Sequence, residues 1–158
     1  MTKYIIYTDG GSRGNPGLAG AGALVTDEKG KVLREVTKGL GTMTNNEAEY
    51  HAVILGLETA KKVIGKKNLT DSQVEVRLDS ELVARQLAGE YQIKEASLQP
   101  LFMKIWNMRI VAFPHLTFTH IPREKNAHAD RLANKAMDGM SGGNASRQGS
   151  LAIDLFSE

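Results

Sequence analysis

Residues 3–9, KYIIYTD, decide how this chain folds. Apolar and aromatic residues follow one another there without alternation, the pattern of a strand buried on both faces of a central sheet. The run ends on a carboxylate, Asp9, and a lone buried carboxylate is costly unless it is hydrogen-bonded, paired or bound to a metal. Downstream, GGSRGNPGLAGAG (10–22) reads as a loop of turn residues before a second strand in ALVTD (23–27) and a third in KVLREVTKG (31–39), with Gly30 marking the hairpin turn. TNNE (44–47) has the form of a capping box, Thr44 capping a helix start and Glu47 reaching back. Ala48, Ala52, Leu55 and Ala60 continue it at helical spacing and predict the longest helix of the chain.

QVEVRLD (73–79) alternates through Val74, Val76 and Leu78 and predicts a fourth strand that also ends on a carboxylate, Asp79. Helices are expected in SELVARQLAG (80–89) and SLQPLFMKIWNMRIV (97–111), where Phe102, Ile105 and Trp106 read as core. HLTFTHI (115–121) supplies a fifth strand, and NAHADRLANKAMDG (126–139) a last helix capped by Asn126 and closed by Gly139. Residues 1–140 are thus expected to form one domain, followed over 141–158 by a linker, SGGNASRQGS, and a short tail.

Composition excludes several classes. No stretch approaches the roughly 18 apolar residues of a membrane span. The N-terminal MTKYIIYTDGG shows neither a basic leader nor a small-residue cleavage site and reads as mature protein. With no cysteine there is no disulfide framework and no thiolate zinc site, which fits a cytoplasmic location. A net charge of +2 is too small to mark nucleic-acid binding by itself, although Lys61, Lys62, Lys66 and Lys67 cluster in one segment and Arg123, Lys125 and Arg131 in another.

The acids are more telling. Asp9 and Asp79 end strand patterns, Glu49 lies about one turn into the long helix, and Asp130 in the first turns of the last. In an open α/β sheet ligands gather at the carboxyl ends of strands, so the two aspartates converge if their strands are parallel neighbours. The segments YTDGGSRGNPG (7–17), TNNEAEYHA (44–52), LDSELV (78–83) and HIPREKNAHADRLANKA (120–136) resemble, in this order, the four signature segments of the type 1 ribonuclease H family. The resemblance covers about residues 3–139. It implies an α/β fold with a five-stranded mixed sheet, order 3-2-1-4-5, flanked by helices, and a monomeric enzyme without organic cofactor that hydrolyses the RNA strand of RNA/DNA hybrids, leaving 5′-phosphate and 3′-hydroxyl ends.

By the same resemblance Asp9, Glu49, Asp79 and Asp130 are the catalytic carboxylates and hold two Mg²⁺ ions, with Mn²⁺ as a substitute. Asp9 would bridge both ions, Asp79 and Glu49 would serve the metal at the leaving group, and Asp130 the metal at the water. Two such ions roughly 4 Å apart can clamp both oxygens of an in-line displacement, and hard Mg²⁺ prefers carboxylate oxygen. Two alternatives stand beside this reading: a nucleic-acid-binding module of the same fold without turnover, and a relative that also cuts double-stranded RNA. A binder gains nothing from concentrating negative charge against a phosphate backbone.

The family pattern further implies substrate contacts from the backbone of Gly10, Gly11 and Ser12, and from Asn15, Asn46 and Glu49, toward the minor groove, where the 2′-hydroxyl distinguishes RNA. Asn15 is equally readable as a turn residue before Pro16. Thr44 and Asn45 stand at a helix start, where free N–H groups favour a phosphate. His120 and His128 are the candidate proton-shuttling histidines, with Arg123 as an alternative contact to the scissile phosphate. GEYQIKEASLQPLFMKIWNM (89–108) has two lysines and one Trp, so the basic protrusion of some bacterial relatives is expected to be missing. In the tail, Ala152, Ile153, Asp154, Leu155 and Phe156 resemble a pentapeptide that binds the sliding clamp, with Ala152 replacing the usual glutamine. Packing of the same segment back onto the fold is the competing reading.

Overall fold

Unalternated burial around residues 3–9 places their strand in the middle of the sheet. In the computed structural model, which describes residues 1–141, β1 (Thr2–Gly14) runs antiparallel to β2 (Gly17–Asp27) on one side and parallel to β4 (Ser72–Leu78) on the other. β3 (Val32–Met43) and β5 (Leu116–His120) complete a five-stranded mixed sheet of order β3-β2-β1-β4-β5, as expected. Ile153, Asp154, Leu155 and Phe156, the expected clamp-binding segment, lie outside the described residues.

The glycine-rich stretch is strand, not loop: β1 continues through it to Gly14, and only Asn15 and Pro16 separate it from β2. Asp9 therefore lies within a strand, paired with Gly22, rather than at its end. The glycines serve close approach more than turning. A Cβ at Gly22 would fall 2.5 Å from both Ala133 N and Leu132 Cβ of α5 (Ala127–Ser141), so a side chain there would lift that helix off the sheet.

α1 (Asn45–Ile64) covers the opposite face, with Gly56 against Ile6 and Thr8. Its start is the expected capping box: Thr44 Oγ1 accepts the Glu47 N–H at 3.2 Å, and Glu47 Oε1 accepts the Thr44 N–H at 3.1 Å. The main core fills the space between this helix, β1, β4, α3 (Glu81–Leu87) and α4 (Gln99–Ala112), around Ile6, Tyr50, Leu57, Val76 and Phe113. A short α2 (Lys66–Thr70) links α1 to β4.

Three local expectations need correction. α5 passes through Gly139 to Ser141, its apolar face still against the sheet. Asn126 stands just before α5, but its side chain does not cap the helix: Nδ2 is aimed at the sheet and Oδ1 accepts no hydrogen bond. Ile105 is buried, but Trp106 is 47% exposed and stacks on half-buried Phe102, since helical spacing turns 106 away from α1. Residues 88–98, between α3 and α4, hold one lysine and a 3-10 turn, Ala96–Leu98, and form no basic protrusion. Among the described residues no helix is long and apolar enough to cross a membrane.

Candidate active site

The parallel ladder between β1 and β4 last pairs Tyr7 with Arg77, two residues short of Asp9 and Asp79. Beyond that point the two chains carry their carboxylates side by side. Gly10 lets α1 close over the same spot: a Cβ there would lie 2.1 Å from the Ala48 carbonyl oxygen. With that approach Glu49, on the fifth residue of α1, reaches the sheet, and its Oε1 accepts the Gly10 N–H at 3.4 Å. Carboxylate oxygens of Asp9, Glu49 and Asp79 all fall within 4.8 Å of one another. Asp130, in the first turn of α5, stands near enough for its charge to act on Asp9 but lies outside that group of three.

Such a cluster resists ionisation. Asp9 is 8% and Glu49 7% exposed, and none of the ion pairs among the described residues involves any of the four acids. Burial first, then the charge of Asp79, pushes Asp9 up to about 7. Burial followed by the charges of Asp9 and Asp79 raises Glu49 well above the carboxylate range. Glu49 Oε2 is buried and no donor reaches it. A hard divalent cation answers all of these features: it takes oxygen ligands, it neutralises the acids, and it fills the coordination that Oε2 lacks.

Around the acids the other expected residues divide. Ser12 N–H donates to Asn45 Oδ1 at 2.9 Å, and Asn45 N–H donates to Asn15 Oδ1 at 3.0 Å, so the β1–β2 hairpin is laced to the start of α1. Asn15 thereby does more than fill a turn. Asn46 is tied by its amide to Glu95 at 2.8 Å. His120 ends β5 opposite Leu78, the residue before Asp79, and is exposed, as is Arg123 on its own 3-10 turn, Arg123–Lys125. His128 is drawn away to Glu35 of β3, which leaves it a surface partner of the sheet rather than a group of the site. One neighbour escaped the sequence reading: Asn126, whose amide touches Asp79 and whose only sequence signal was its place before a helix.

This fold is shared by known ribonucleases H. The reverse transcriptase-like family model matches residues 7–136. LC11-RNase H1, isolated from compost by a metagenomic approach, superposes with a TM-score of 0.84 at 52% identity, covering 90% of this chain and all of that one. The same protein in complex with an RNA/DNA hybrid matches at 51% identity and TM-score 0.84, over 88% of this chain and 99% of that one. Ribonuclease H of Methylococcus capsulatus is 34% identical over 84% of this chain and 87% of its own length. A bifunctional protein of Mycobacterium tuberculosis is 41% identical over 86% of this chain, which spans only 36% of that relative. The chain belongs to the type 1 ribonuclease H family.

Proposed function

We propose that this chain is an endoribonuclease that hydrolyses the RNA strand of RNA/DNA hybrids, with Asp9, Glu49, Asp79 and Asp130 as its catalytic carboxylates. The observation that carries the reading is the acid cluster, buried at Asp9 and Glu49 and without a cationic partner among the described residues, with three carboxylates within 4.8 Å of one another. The hybrid-bound structure of LC11-RNase H1, about half identical to this chain, supports the choice of substrate.

The four acids would hold two divalent ions, Mg²⁺ or Mn²⁺. When bound, such ions supply water activation and charge neutralisation at the leaving 3′ oxygen, which yields 5′-phosphate and 3′-hydroxyl ends. The chain's own contribution is orientation. Gly10 holds one oxygen of Glu49 and leaves Oε2 to the cation. The Ser12–Asn45–Asn15 lacing fixes the hairpin against α1, and the Nδ2 donor of Asn15, without a partner among the described residues, faces a minor groove and its 2′-hydroxyls. Asn46 and the backbone of Gly10, Gly11 and Ser12 contribute to the same groove, while at the helix start, where the N–H groups of Thr44 and Asn45 are already given to Glu47 and Asn15, the Thr44 hydroxyl and the Asn45 amide would receive a phosphate of the DNA strand. His120 serves as a proton carrier and Arg123 as a phosphate contact. Ile153, Asp154, Leu155 and Phe156 are proposed to engage a sliding clamp, a reading carried by their sequence alone.

The test is cleavage of a labelled RNA/DNA hybrid beside matched RNA/RNA and DNA/DNA duplexes, by wild type and Asp9→Asn, in Mg²⁺ or EDTA. Hybrid-only cutting that stops in EDTA and falls about a thousandfold or more in Asp9→Asn is the expected result. Tight hybrid binding without cutting in any divalent metal would replace the reading with a binding module. Equal cutting of RNA/RNA would widen the substrate class.

A further inference from the structure

Asn126 stands at the junction of the 3-10 turn and α5, and is 1% exposed. Its Nδ2 donates to the Thr8 carbonyl at 2.9 Å and to Asp79 Oδ2 at 3.3 Å. Its own carbonyl accepts the Asp130 N–H at 3.0 Å. One residue therefore touches the backbone just before Asp9, the carboxylate of Asp79 and the backbone of Asp130, which belong to three different parts of the fold.

The place is one where the sheet does not bond to itself. Because the β1–β4 ladder ends at Tyr7 and Arg77, the buried Thr8 carbonyl has no partner from β4, and a buried carbonyl left unpaired is destabilising. The Asn126 amide supplies that donor and spends its second N–H on Asp79. Reversing the amide would set Oδ1 against two acceptors, so the surroundings assign the donor side. In the assigned orientation Oδ1 is buried with no donor, a cost that a purely stabilising residue would avoid.

We propose that Asn126 is the positioning residue of the carboxylate cluster, holding Asp79 by one oxygen and fixing the spacing of Asp9, Asp79 and Asp130 for a divalent cation. The inference rests on the metal-dependent reading above. Its chemistry requires a neutral double donor. A lysine or arginine would satisfy the same acceptors but bring a competing positive charge to the cation's place, and an ionised Asp has no proton to donate. Asn is short enough for the buried junction and donates twice.

Asn126→Ala is to be compared with wild type in Mg²⁺ or Mn²⁺ affinity without substrate, by calorimetry, and in thermal unfolding in EDTA. Kinetics on hybrid add the half-activating Mg²⁺ concentration and, at saturating metal, kcat and KM. Metal affinity is expected to fall about tenfold, with a similar rise in half-activating Mg²⁺, a lower kcat and a KM within about twofold of wild type. Lower thermal stability with unchanged metal affinity overturns the inference and leaves Asn126 a structural residue. If Asn126→Ala does not fold, wild type decides: the Asn126 side-chain amide NMR resonance moves on Mg²⁺ addition, and a resonance indifferent to saturating Mg²⁺ overturns it. A wild type that binds Mg²⁺ but leaves hybrid uncut removes the proposed substrate, while a loss of metal affinity in Asn126→Ala still supports positioning. A wild type that binds no divalent ion overturns both.

Discussion

β4 brings together two acidic sites of opposite character. At its middle, Glu75 is met by Lys3 Nζ at 3.3 Å and Arg77 Nη2 at 3.1 Å, and Arg77 also donates to Tyr7 OH at 2.9 Å. Burial acts to raise Glu75, but hydrogen bonds from Thr119 and Arg77, with the charge of Arg77, outweigh it and hold the carboxyl below its ordinary range. Just past the strand's end, Asp79 joins Asp9 and Glu49, where no cation of the described residues forms an ion pair with them and burial drives Asp9 and Glu49 upward. The same two strands thus hold a finished ion network and an unfinished one. An acid that serves the fold is given its counter-charge by the sequence; acids that await a cation from outside are not.

Breaking the unfinished site should help the metal-free fold. Asp9→Asn removes one of the crowded buried charges and is expected to raise unfolding stability in EDTA at pH 8 by about 1–3 kcal/mol, while destroying activity. The pH dependence follows in sign. Asp9 binds its proton more tightly folded, near 7, than unfolded, at the ordinary 3.8, so the folded state is favoured at low pH and loses stability as pH rises through that window. His51 opposes this, since burial and then Lys38 hold its imidazole low and favour the folded state above its ordinary 6.5. The difference between wild type and Asp9→Asn isolates the cluster: it should widen from pH 5 to pH 8 in EDTA and shrink when Mg²⁺ is added. Denaturant melts across that range measure it, and a difference that is flat with pH would mean the acids are not strained.

Breaking the finished network should do the reverse, and by less. Glu75→Gln leaves Lys3 and Arg77 without their carboxylate and is expected to cost about 1–2 kcal/mol in denaturant unfolding near pH 7. Hybrid cleavage at saturating Mg²⁺ should stay within about twofold of wild type, because that network contacts no acid of the cluster. A large fall in kcat with unchanged stability would show that the two ends of β4 are coupled after all.

Much of this contrast was legible before any coordinates. The unalternated run at residues 3–9, the alternation of Val74, Val76 and Leu78, and the capping box at Thr44 and Glu47 are local signals, and each produced the expected element. The sheet order and the roles expected of the acids came from the family resemblance. What local reading misjudged were residues whose purpose is set by another element. Glycines 10 and 22 looked like turn formers because nothing in the neighbouring sequence announces Ala48 or Ala133 pressing on them. Asn126 looked like a helix cap because an Asn before a helix usually is one, and Thr8 and Asp79, its partners, lie far away in sequence.

The smallest expected effect sharpens the comparison most. Arg123, Lys125 and Arg131 crowd the segment that carries Asp130, yet none makes an ion pair with the four acids among the described residues. If the cluster is kept free of cations so that a metal can enter, an exposed arginine beside it belongs to the substrate's phosphates. Arg123→Ala is then expected to leave metal affinity and kcat nearly unchanged, to raise KM for hybrid about threefold at moderate salt, and to flatten the salt dependence of binding by about one unit of slope. Hybrid titrations over a range of salt, beside metal calorimetry, measure both. Tighter metal binding in Arg123→Ala would show instead that this guanidinium partly neutralises the acids, and the cluster would then differ from the Glu75 network in degree rather than in kind.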